Sequence, residues 1–261
     1  MNIGIIGFGK MGEAIAKGLL RARGYRVFYN EIREERIEEV RRKYPQVKHL
    51  SLEQLIDVSE AIILSVKPQD LDELLKKVDQ VLKREKLFIS ICAGISISYI
   101  QERLSKCRVI RCMPNMGALI GKSFTAICKG PRATDKDLEL AISIFSTIGK
   151  VKEVKEDLMN AITAVSGSGP AYLAYFANAM GEAAKEIGLS EAPLEIVLEC
   201  IKTTVSILEE MGISPQELIG KVASKGGTTE ACLKVWDERG FKEIIKEGIK
   251  RAKQRAEELG R

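Results

Sequence analysis

The chain has 261 residues, a length that as a prior indicates one large or two ordinary domains. Its composition, 45% hydrophobic and 30% charged, excludes a disordered chain and is typical of a folded globular protein. The net charge is +5, but Lys and Arg are interleaved with Glu along predicted helix faces, as in the pair Glu247 and Arg251. This pattern indicates solvated helices, and no nucleic-acid partner is expected.

Cysteine and histidine usage limits the chemistry further. None of the six cysteines belongs to a C-x-x-C pair, and most lie in apolar runs, so buried free thiols in a reducing compartment are expected. The single histidine, His49, falls where a loop or a helix start is expected, and no metal site is predicted. The sequence shows no signal peptide and no apolar run of membrane-spanning length, so we expect a cytoplasmic protein without a membrane partner.

The first predicted element is a short apolar strand, Ile3–Ile6, followed by a glycine turn and a helical pattern over Met11–Arg23. The turn has the spacing G-x-G-x-x-G and consists of Gly7, Phe8, Gly9, Lys10, Met11 and Gly12. Gly7 permits the tight turn, Gly9 lets a pyrophosphate approach the backbone, and Gly12 lets the helix pack on the strand. This order predicts a dinucleotide site at a helix N-terminus, although a glycine turn in another kind of α/β protein has the same pattern.

Strands and helices alternate through the next part of the chain. Further strands are predicted at Arg26–Tyr29, Ala61–Val66, Leu87–Ile91, Val109–Cys112, Phe124–Cys128 and Val151–Val154. Helices are predicted between them at Glu34–Tyr44, Gln69–Leu82, Ser98–Leu104 and Asp135–Ile148. The alternation predicts an α/β class, with a Rossmann-type, doubly wound, mostly parallel sheet forming a dinucleotide-binding domain over residues 1–155.

Three strand ends are expected to line the ligand site, because ligands of such sheets bind beyond the carboxyl ends of the strands. They are Ser65–Pro68, Cys92–Gly94 and Met113–Asn115, and each contains a small residue or a proline that lets backbone lie against a flat ligand. The cofactor contacts predicted there are Val66, Lys67, Pro68, Cys92, Ala93 and Gly94.

After residue 155 the strand patterns stop, and an all-helical domain is predicted over residues 156–261. Its helical patterns cover Asp157–Val165, Ala171–Ile187, Ala192–Met211, Gln216–Ala223, Thr229–Asp237 and Lys242–Leu259. Gly188 and Gly212 lie where C-terminal caps belong, and Ser214-Pro215-x-Glu217 is a capping box. The helix after Ala171 carries small residues on several faces, which predicts close packing within the chain or against a second subunit.

Two glycine-rich turns stand out in this helical part. In Ala164–Pro170, Ser166 or Ser168 is placed to cap the following helix. Ala223–Thr229 exposes backbone N–H groups and two hydroxyls at a helix N-terminus, which is typical of a site for a carboxylate. For either turn alone, ordinary helix capping is the favoured interpretation.

Together these segments resemble one family, the pyrroline-5-carboxylate reductases, over nearly the whole chain. The resemblance rests on the glycine turn and on Ser65–Gln69, Ala93–Ser96, Arg111–Asn115, Asp157–Tyr172 and Ser224–Thr229. It implies NAD(P)H-dependent reduction of the cyclic imine 1-pyrroline-5-carboxylate to L-proline, the final step of proline biosynthesis. It also implies a helical domain that interlocks with that of a partner, giving a homodimer or a larger homo-oligomer.

Two positions depart from the family pattern. Met116-Gly117 stands where the family commonly has Thr-Pro after Met-Pro-Asn, and this change is expected to loosen a loop beside the cofactor. Lys225 replaces the proline of Ser-Pro-Gly-Gly and adds a cation to the substrate turn. Neither change removes an N–H donor, so the reaction class is retained while the identity of the substrate stays open.

The resemblance also implies roles for the residues of the turn at Ser224. Thr229 would contact the imine nitrogen and handle the proton, which makes it the candidate catalytic residue. Gly226, Gly227 and Thr228 would hold the substrate carboxylate through backbone N–H groups, and Ser224 would shape the turn. Lys67 is expected to contact the cofactor and not to act as the acid.

Cofactor preference is left open by the residues after the second strand. Asn30 is compatible with either nucleotide, and an acidic residue such as Glu31 usually pairs with the ribose hydroxyls and favours NADH. Arg33 and Arg36 could instead clamp a 2′-phosphate, so NADPH is slightly preferred and NADH is kept as the alternative.

Two rival functions remain from the sequence. A related two-domain reductase could act on another cyclic imine or on a hydroxy acid, but hydroxy-acid enzymes generally need a catalytic Lys, and Lys185 lies far from the Ser-Gly-Ser-Gly turn. A non-catalytic nucleotide-sensing module is the rival of another class, and the intact substrate turn argues against it.

Overall fold

The structure is a computed structural model that describes residues 1–260. The chain forms two compact units: Met1–Ser168 together with the end of the chain from Ala252, and Gly169–Arg251. The first unit contains one eight-stranded sheet with flanking helices, and the second is helical. The predicted α/β class with a Rossmann-type sheet is therefore confirmed. A folding boundary between residues 155 and 156 stays a prediction.

The sheet has the strand order of a dinucleotide-binding fold with two strands added. Its strands are β1 Asn2–Ile6, β2 Arg26–Asn30, β3 Lys48–His49, β4 Ala61–Leu64, β5 Lys86–Ser90, β6 Cys107–Met113, β7 Ser123–Lys129 and β8 Gly149–Glu153. They lie in the order β3-β2-β1-β4-β5-β6-β7-β8, in which only the β6–β7 pair is antiparallel. The strand order reverses between β1 and β4, and that switch point is where ligands of such sheets bind.

Helices cover both faces of the sheet, as the alternating pattern predicted. In the first unit they are α1 Lys10–Arg21, α2 Glu34–Lys43, α3 Leu52–Val58, α4 Leu71–Val81, α5 Ile97–Arg103, α6 Asp135–Ser146 and the short α7 Met159–Ile162. One core layer joins α1, α2 and α6 to the sheet, and the other joins α3, α4 and α5. Ile3 and Ile5 are fully buried in the first layer, where each such side chain contributes about 1.5–3 kcal/mol.

The structure adds two short elements that the hydrophobic pattern does not predict. His49 lies in the edge strand β3 and not in a loop or helix start, because Phe28 and Tyr29 of β2 pair with Lys48 and His49. Helix α3 follows at once, and Ser51 begins it with a capping box to Gln54. Two and seven residues are too short for a periodic signal to be counted.

The second unit is built from long helices whose ends match the predicted punctuation. They are α8 Gly169–Glu186, α9 Pro193–Met211, α10 Pro215–Val222, α11 Thr228–Glu238 and α12 Phe241–Leu259, the last of which ends in the first unit. Gly188 and Gly212 adopt the left-handed conformation typical of C-terminal caps, and Ser214 forms the capping box with Glu217. These three predictions are confirmed.

The segment over Ala164–Pro170 differs from its prediction. It is not an open turn with a serine cap, because a π-helical turn over Thr163–Gly167 joins α7 to α8. The Ser168 N–H donates to the carbonyl of Thr163, five residues earlier, at 3.1 Å. Such π turns are rare and are frequent at functional sites.

Candidate functional site

The glycine turn after β1 is fixed by close backbone contacts at its first and last glycines. Gly7 has a φ of +85°, and its N–H donates to the carbonyl of Asn30 at 2.9 Å. A Cβ at Gly7 would lie 2.6 Å from the Ser65 carbonyl oxygen, and one at Gly12 would lie 2.6 Å from the Gly7 carbonyl oxygen. Both positions therefore require glycine for the reasons that the sequence indicated.

The middle glycine has the opposite environment. Nothing lies within 4 Å of the point where a Cβ on Gly9 would be. Gly9 is the N-cap of α1, and no side chain caps the helix there. The N–H groups of the first turn of α1 therefore have no side-chain cap, and an uncapped helix N-terminus is a favourable place for an anion. Lys10 is exposed beside this place.

Phe8 offers a ligand only its backbone, because its ring is fully buried. The ring packs on that of Tyr29, with 4.7 Å between the ring centroids. The Phe8 N–H donates to Glu31 Oε2 at 3.2 Å, and the Phe8 carbonyl accepts from Arg36 Nε at 2.8 Å. Met11, at the start of α1, is half-buried and packs against the core. The end of β2 thus holds the glycine turn in place.

The carboxylate of Glu31 is occupied by hydrogen bonds from its own chain. Besides the Phe8 N–H, it accepts the N–H groups of Ile32 and Arg33 at 3.0 and 3.1 Å, and the Arg33 side chain binds both of its oxygens. Burial raises the pKa of Glu31, but the hydrogen bonds from Arg33 and Ile32 outweigh it and lower the pKa to about 2. A ribose hydroxyl would have to displace one of these donors. The Arg33 side chain is 64% exposed, and Glu31 is its partner.

Arg36 is held in a similar way. It pairs with Glu13 and with Glu39, and its side chain is only 14% exposed. Glu13 also accepts from Lys43 and from the Tyr44 hydroxyl at 2.8 Å. Burial raises the pKa of Glu13, yet the hydrogen bonds from Lys43, Arg36 and Tyr44 bring it down to about 2. Of the two arginines that the sequence offered to a 2′-phosphate, Arg33 is the exposed one.

The ends of β4 and β5 present backbone more than side chains. Cys92 Sγ donates to the carbonyls of Leu64 and Val66 at 3.6 and 3.4 Å, and burial raises the pKa of this thiol to about 11. Cys92 is therefore not a nucleophile at neutral pH. Lys67 is exposed, and Val66, Pro68 and Ala93 are half-buried.

Gly94 is covered by the last helix. It has a φ of +81°, and a Cβ there would lie 2.4 Å from the carbonyl oxygen of Ala256 in α12. Ala256 itself is 4% exposed. The end of the chain therefore closes over the turn after β5, an arrangement that the sequence does not reveal.

The candidate substrate turn lies in the second unit, between α10 and α11. Gly226 has a φ of +72°, and its N–H donates to Glu230 Oε2 at 2.6 Å. The Gly227 N–H donates to the backbone carbonyl of Ser224 at 3.0 Å, which closes the turn. Gly227 is the N-cap of α11 without a side-chain cap.

The two threonines of this turn differ in exposure. The N–H groups of Thr228 and Thr229 begin α11, where the helix dipole favours an anion. The side chain of Thr228 is exposed, whereas Thr229 is half-buried. The structure groups the candidate cofactor residues in the first unit and the candidate substrate residues in the second.

Sequence reasoning missed a polar network around the buried Arg111, at the end of β6. Arg111, 4% exposed, donates to Glu156 Oε1 at 3.3 Å and to Asn160 Oδ1 at 2.9 Å, and Glu156 also accepts the Ile97 N–H at 2.7 Å. The sequence did contain a signal for this network, because Arg111 is a charged residue inside a mostly apolar strand. A buried charge needs a partner, so Arg111 indicates a polar partner close by. The network ties the start of α5 and the segment before α8 to the sheet.

Residues 1–260 lack two kinds of structural feature. They contain no group of three or more His, Cys, Asp or Glu side chains that could hold a metal ion. No helix in this described part is long and apolar enough to cross a membrane.

Comparison with known proteins gives full-length matches. One family model, described as pyrroline-5-carboxylate reductase dimerisation, matches residues 156–259, and another, described as NADP oxidoreductase, coenzyme F420-dependent, matches residues 2–94. The pyrroline-5-carboxylate reductase of Synechocystis sp. is 36% identical over 100% of this chain and 99% of its own length. That of Methanosarcina acetivorans is 32% identical over 100% of this chain and 98% of its own.

A solved structure agrees over the same length. The crystal structure of Plasmodium falciparum pyrroline carboxylate reductase with NADP bound has a TM-score of 0.90 at 28% identity, covering 100% of this chain and 98% of that one. Sheet order, the uncovered glycine turn and these matches define the class, a Rossmann-type NAD(P)-dependent oxidoreductase. The identity of 36% over the full length narrows the class further. The chain belongs to the pyrroline-5-carboxylate reductase family, and the resemblance predicted from its sequence is confirmed.

Proposed function

We propose that this protein reduces 1-pyrroline-5-carboxylate to L-proline with NADPH as the hydride donor. The observation that carries the proposal is the full-length relationship to pyrroline-5-carboxylate reductases at 36% identity. Such a reaction needs one site for the pyrophosphate of the cofactor and one for the carboxylate of the substrate. The open space at Gly9 before α1 and the uncapped start of α11 would serve as these two sites.

The cofactor fits the first unit. A pyrophosphate would lie against Gly9 and the first turn of α1, where no side chain stands in its way. At the end of β2, the Arg33 guanidinium binds Glu31 through Nε and Nη2 but is 64% exposed, so its remaining N–H groups would reach a 2′-phosphate. This arrangement supports NADPH, as does the NADP bound in the Plasmodium falciparum structure, and NADH is the alternative.

The second unit would hold the substrate and its proton. The cofactor supplies hydride, and the imine carbon accepts it while the ring nitrogen takes a proton and becomes an amine. The sequence assigned the substrate carboxylate to the N–H groups of Gly226, Gly227 and Thr228, but the Gly226 N–H donates to Glu230 and the Gly227 N–H to Ser224. The Thr228 N–H, with the Thr229 N–H beside it, would therefore bind the carboxylate at the start of α11. The half-buried Thr229 hydroxyl would hydrogen-bond the ring nitrogen and orient the imine, whereas exposed Thr228 would act through its N–H alone.

A homodimer or larger homo-oligomer is part of the proposal, since the dimerisation model covers residues 156–259. A helix that buries one apolar stripe against its own chain normally leaves few large apolar side chains exposed. The helices of the second unit expose many, which suits contact with a second subunit. Those on α8 and α9 include Leu173, Tyr175, Leu194, Ile196, Leu198, Val205 and Met211. Light scattering at micromolar concentration should give at least a dimer, and a monomer of 28.9 kDa would contradict this.

We further propose a cytoplasmic protein whose partners are its own copies and small molecules. All six cysteines are free thiols, four of them buried, which suits a reducing compartment. Localisation of the tagged protein in its own cells tests this, and an extracellular or membrane-bound signal would contradict it.

The reductase proposal is tested by following NADPH oxidation with 1-pyrroline-5-carboxylate and quantifying L-proline by chromatography. Equal amounts of NADPH consumed and proline formed would support it. Turnover of other cyclic imines or of hydroxy acids, with none of pyrroline-5-carboxylate, would favour the related-reductase alternative. Tight nucleotide binding with no turnover of any of them would favour the sensor.

A further inference from the structure

A side-chain hydrogen bond near the end of β6 has no role in the proposed function described above. Asn115 Nδ2 donates to Ser166 Oγ at 3.2 Å, joining the strand end to the π-helical turn before α8. The two residues are 51 positions apart in sequence, and both are half-buried. Both belong to the first unit.

The orientation of the Asn115 amide is fixed by a second bond. The Gly117 N–H donates to Asn115 Oδ1 at 3.0 Å, so the oxygen faces Gly117 and the NH2 group must face Ser166. A proline at this position, which the family pattern commonly has, lacks the N–H. Gly117 therefore adds a hydrogen bond that a proline at this position could not make.

The bond to Asn115 also decides what Ser166 can do. A hydroxyl oxygen that accepts a hydrogen bond keeps its own hydrogen to donate. Within residues 1–260 this hydrogen has no acceptor, so it remains available to a ligand. The π turn presents Ser166 and lies close to the end of the sheet, since a Cβ at Gly167 would lie 2.9 Å from Met113 Cε.

The position of Ser166, beside the residues that follow β6, indicates which ligand group it meets. The adenosine half of a dinucleotide lies over the end of β2, and the pyrophosphate lies at the turn after β1. The nicotinamide half consequently extends past β4 and β5 towards β6, which ends beside Asn115. The group there that needs a donor is the carboxamide oxygen of the nicotinamide.

We propose that Ser166, oriented by Asn115, donates a hydrogen bond to the nicotinamide carboxamide oxygen and so sets which face of the ring meets the imine. The inference rests on the proposed function and adds a residue to its cofactor site. Ser166 is a ligand contact, and Asn115 is a positioning residue that acts through it.

The test compares NADPH with thio-NADPH, in which sulfur, a weaker acceptor, replaces that oxygen. We expect Ser166→Ala to lower kcat/KM for NADPH by about fivefold to tenfold, as for one lost hydrogen bond. The preference for NADPH over thio-NADPH should shrink by a similar factor in Ser166→Ala. Ser168→Ala is the matched control, because Ser168 makes no side-chain hydrogen bond among the described residues, and it should keep the wild-type preference.

Three results would overturn the inference. An unchanged preference in Ser166→Ala would exclude the carboxamide contact, as would a rise in the KM for pyrroline-5-carboxylate alone. An unchanged preference in Asn115→Ala would exclude the positioning role, since that variant should lie between wild type and Ser166→Ala. Calorimetric Kd values for NADPH and thio-NADPH compare the two nucleotides without any turnover. If the enzyme proved inactive, the proposed function would be refuted, but the contact of Ser166 with the carboxamide could still be tested by binding.

Discussion

Replacing Glu31 by Gln should destabilise the first unit at neutral pH while keeping its shape. The Glu31 side chain is 5% exposed, and its carboxylate accepts N–H groups from Phe8, Ile32 and Arg33. Burial raises its pKa, but the hydrogen bonds from Arg33 and Ile32 lower it from 4.5 to about 2. At about 1.36 kcal/mol per pKa unit, this difference corresponds to roughly 3 kcal/mol of stability at pH 7.

The pH dependence gives the prediction its sign. Because the pKa in the folded protein is lower than in the unfolded chain, the stabilisation is complete above pH 4.5 and is lost as the pH falls towards 2. Urea unfolding at one protein concentration should show a loss of roughly 3 kcal/mol for Glu31→Gln at pH 7 and less than half of it at pH 3. Glu35→Gln, an exposed change on α2, should cost almost nothing at either pH. A penalty that is equal at both pH values, or absent at pH 7, would refute the reasoning.

The remaining predictions concern the two candidate anion sites. Gly9→Asp has room to fold and should abolish NADPH binding through its charge, whereas Gly9→Ala should weaken it less; a folded Asp variant with unchanged Kd by fluorescence titration would contradict the site. Thr229→Val should lower kcat/KM by roughly tenfold to a thousandfold with NADPH affinity unchanged, and Thr228→Val should do less. A larger loss for Thr228→Val would reverse their roles. Glu230→Ala frees the Gly226 N–H and removes a negative charge, so the KM for the anionic substrate should fall roughly twofold to fivefold; an unchanged or higher KM would show that the turn does not bind the carboxylate.

The main elements of the fold could be predicted because their signals are local and repeated. Apolar runs such as Ile3–Ile6 and Ala61–Leu64 are buried on both faces, which produces a continuous hydrophobic stretch in the sequence. The glycine roles at Gly7 and Gly12 followed from spacing, since a tight turn and a close helix each exclude a Cβ. Long helices in the second unit were marked by their caps, as at Gly212.

Three features could not be predicted from the sequence. Two depend on hydrogen bonds between residues that are distant in sequence, and the third is a change of helix type that leaves no trace in the hydrophobic pattern. An acidic residue after β2 predicts a ribose contact, but the sequence cannot show that Arg33 and the Phe8 N–H already occupy Glu31. Glycines and serines before α8 predicted an open turn, because a hydrogen bond from residue 168 to residue 163 alters no hydrophobic spacing. The pairing of Asn115 with Ser166 is likewise invisible before the chain is folded.

The most direct measurement of the central claim is the steady-state reduction of 1-pyrroline-5-carboxylate by the purified full-length protein, with NADPH and NADH compared in parallel. The account predicts one L-proline formed per NADPH oxidised, a higher kcat/KM with NADPH than with NADH, and loss of activity in Gly9→Asp. Absence of proline formation by a folded protein that binds NADPH would contradict the proposed function. A clear preference for NADH would contradict the role assigned to Arg33.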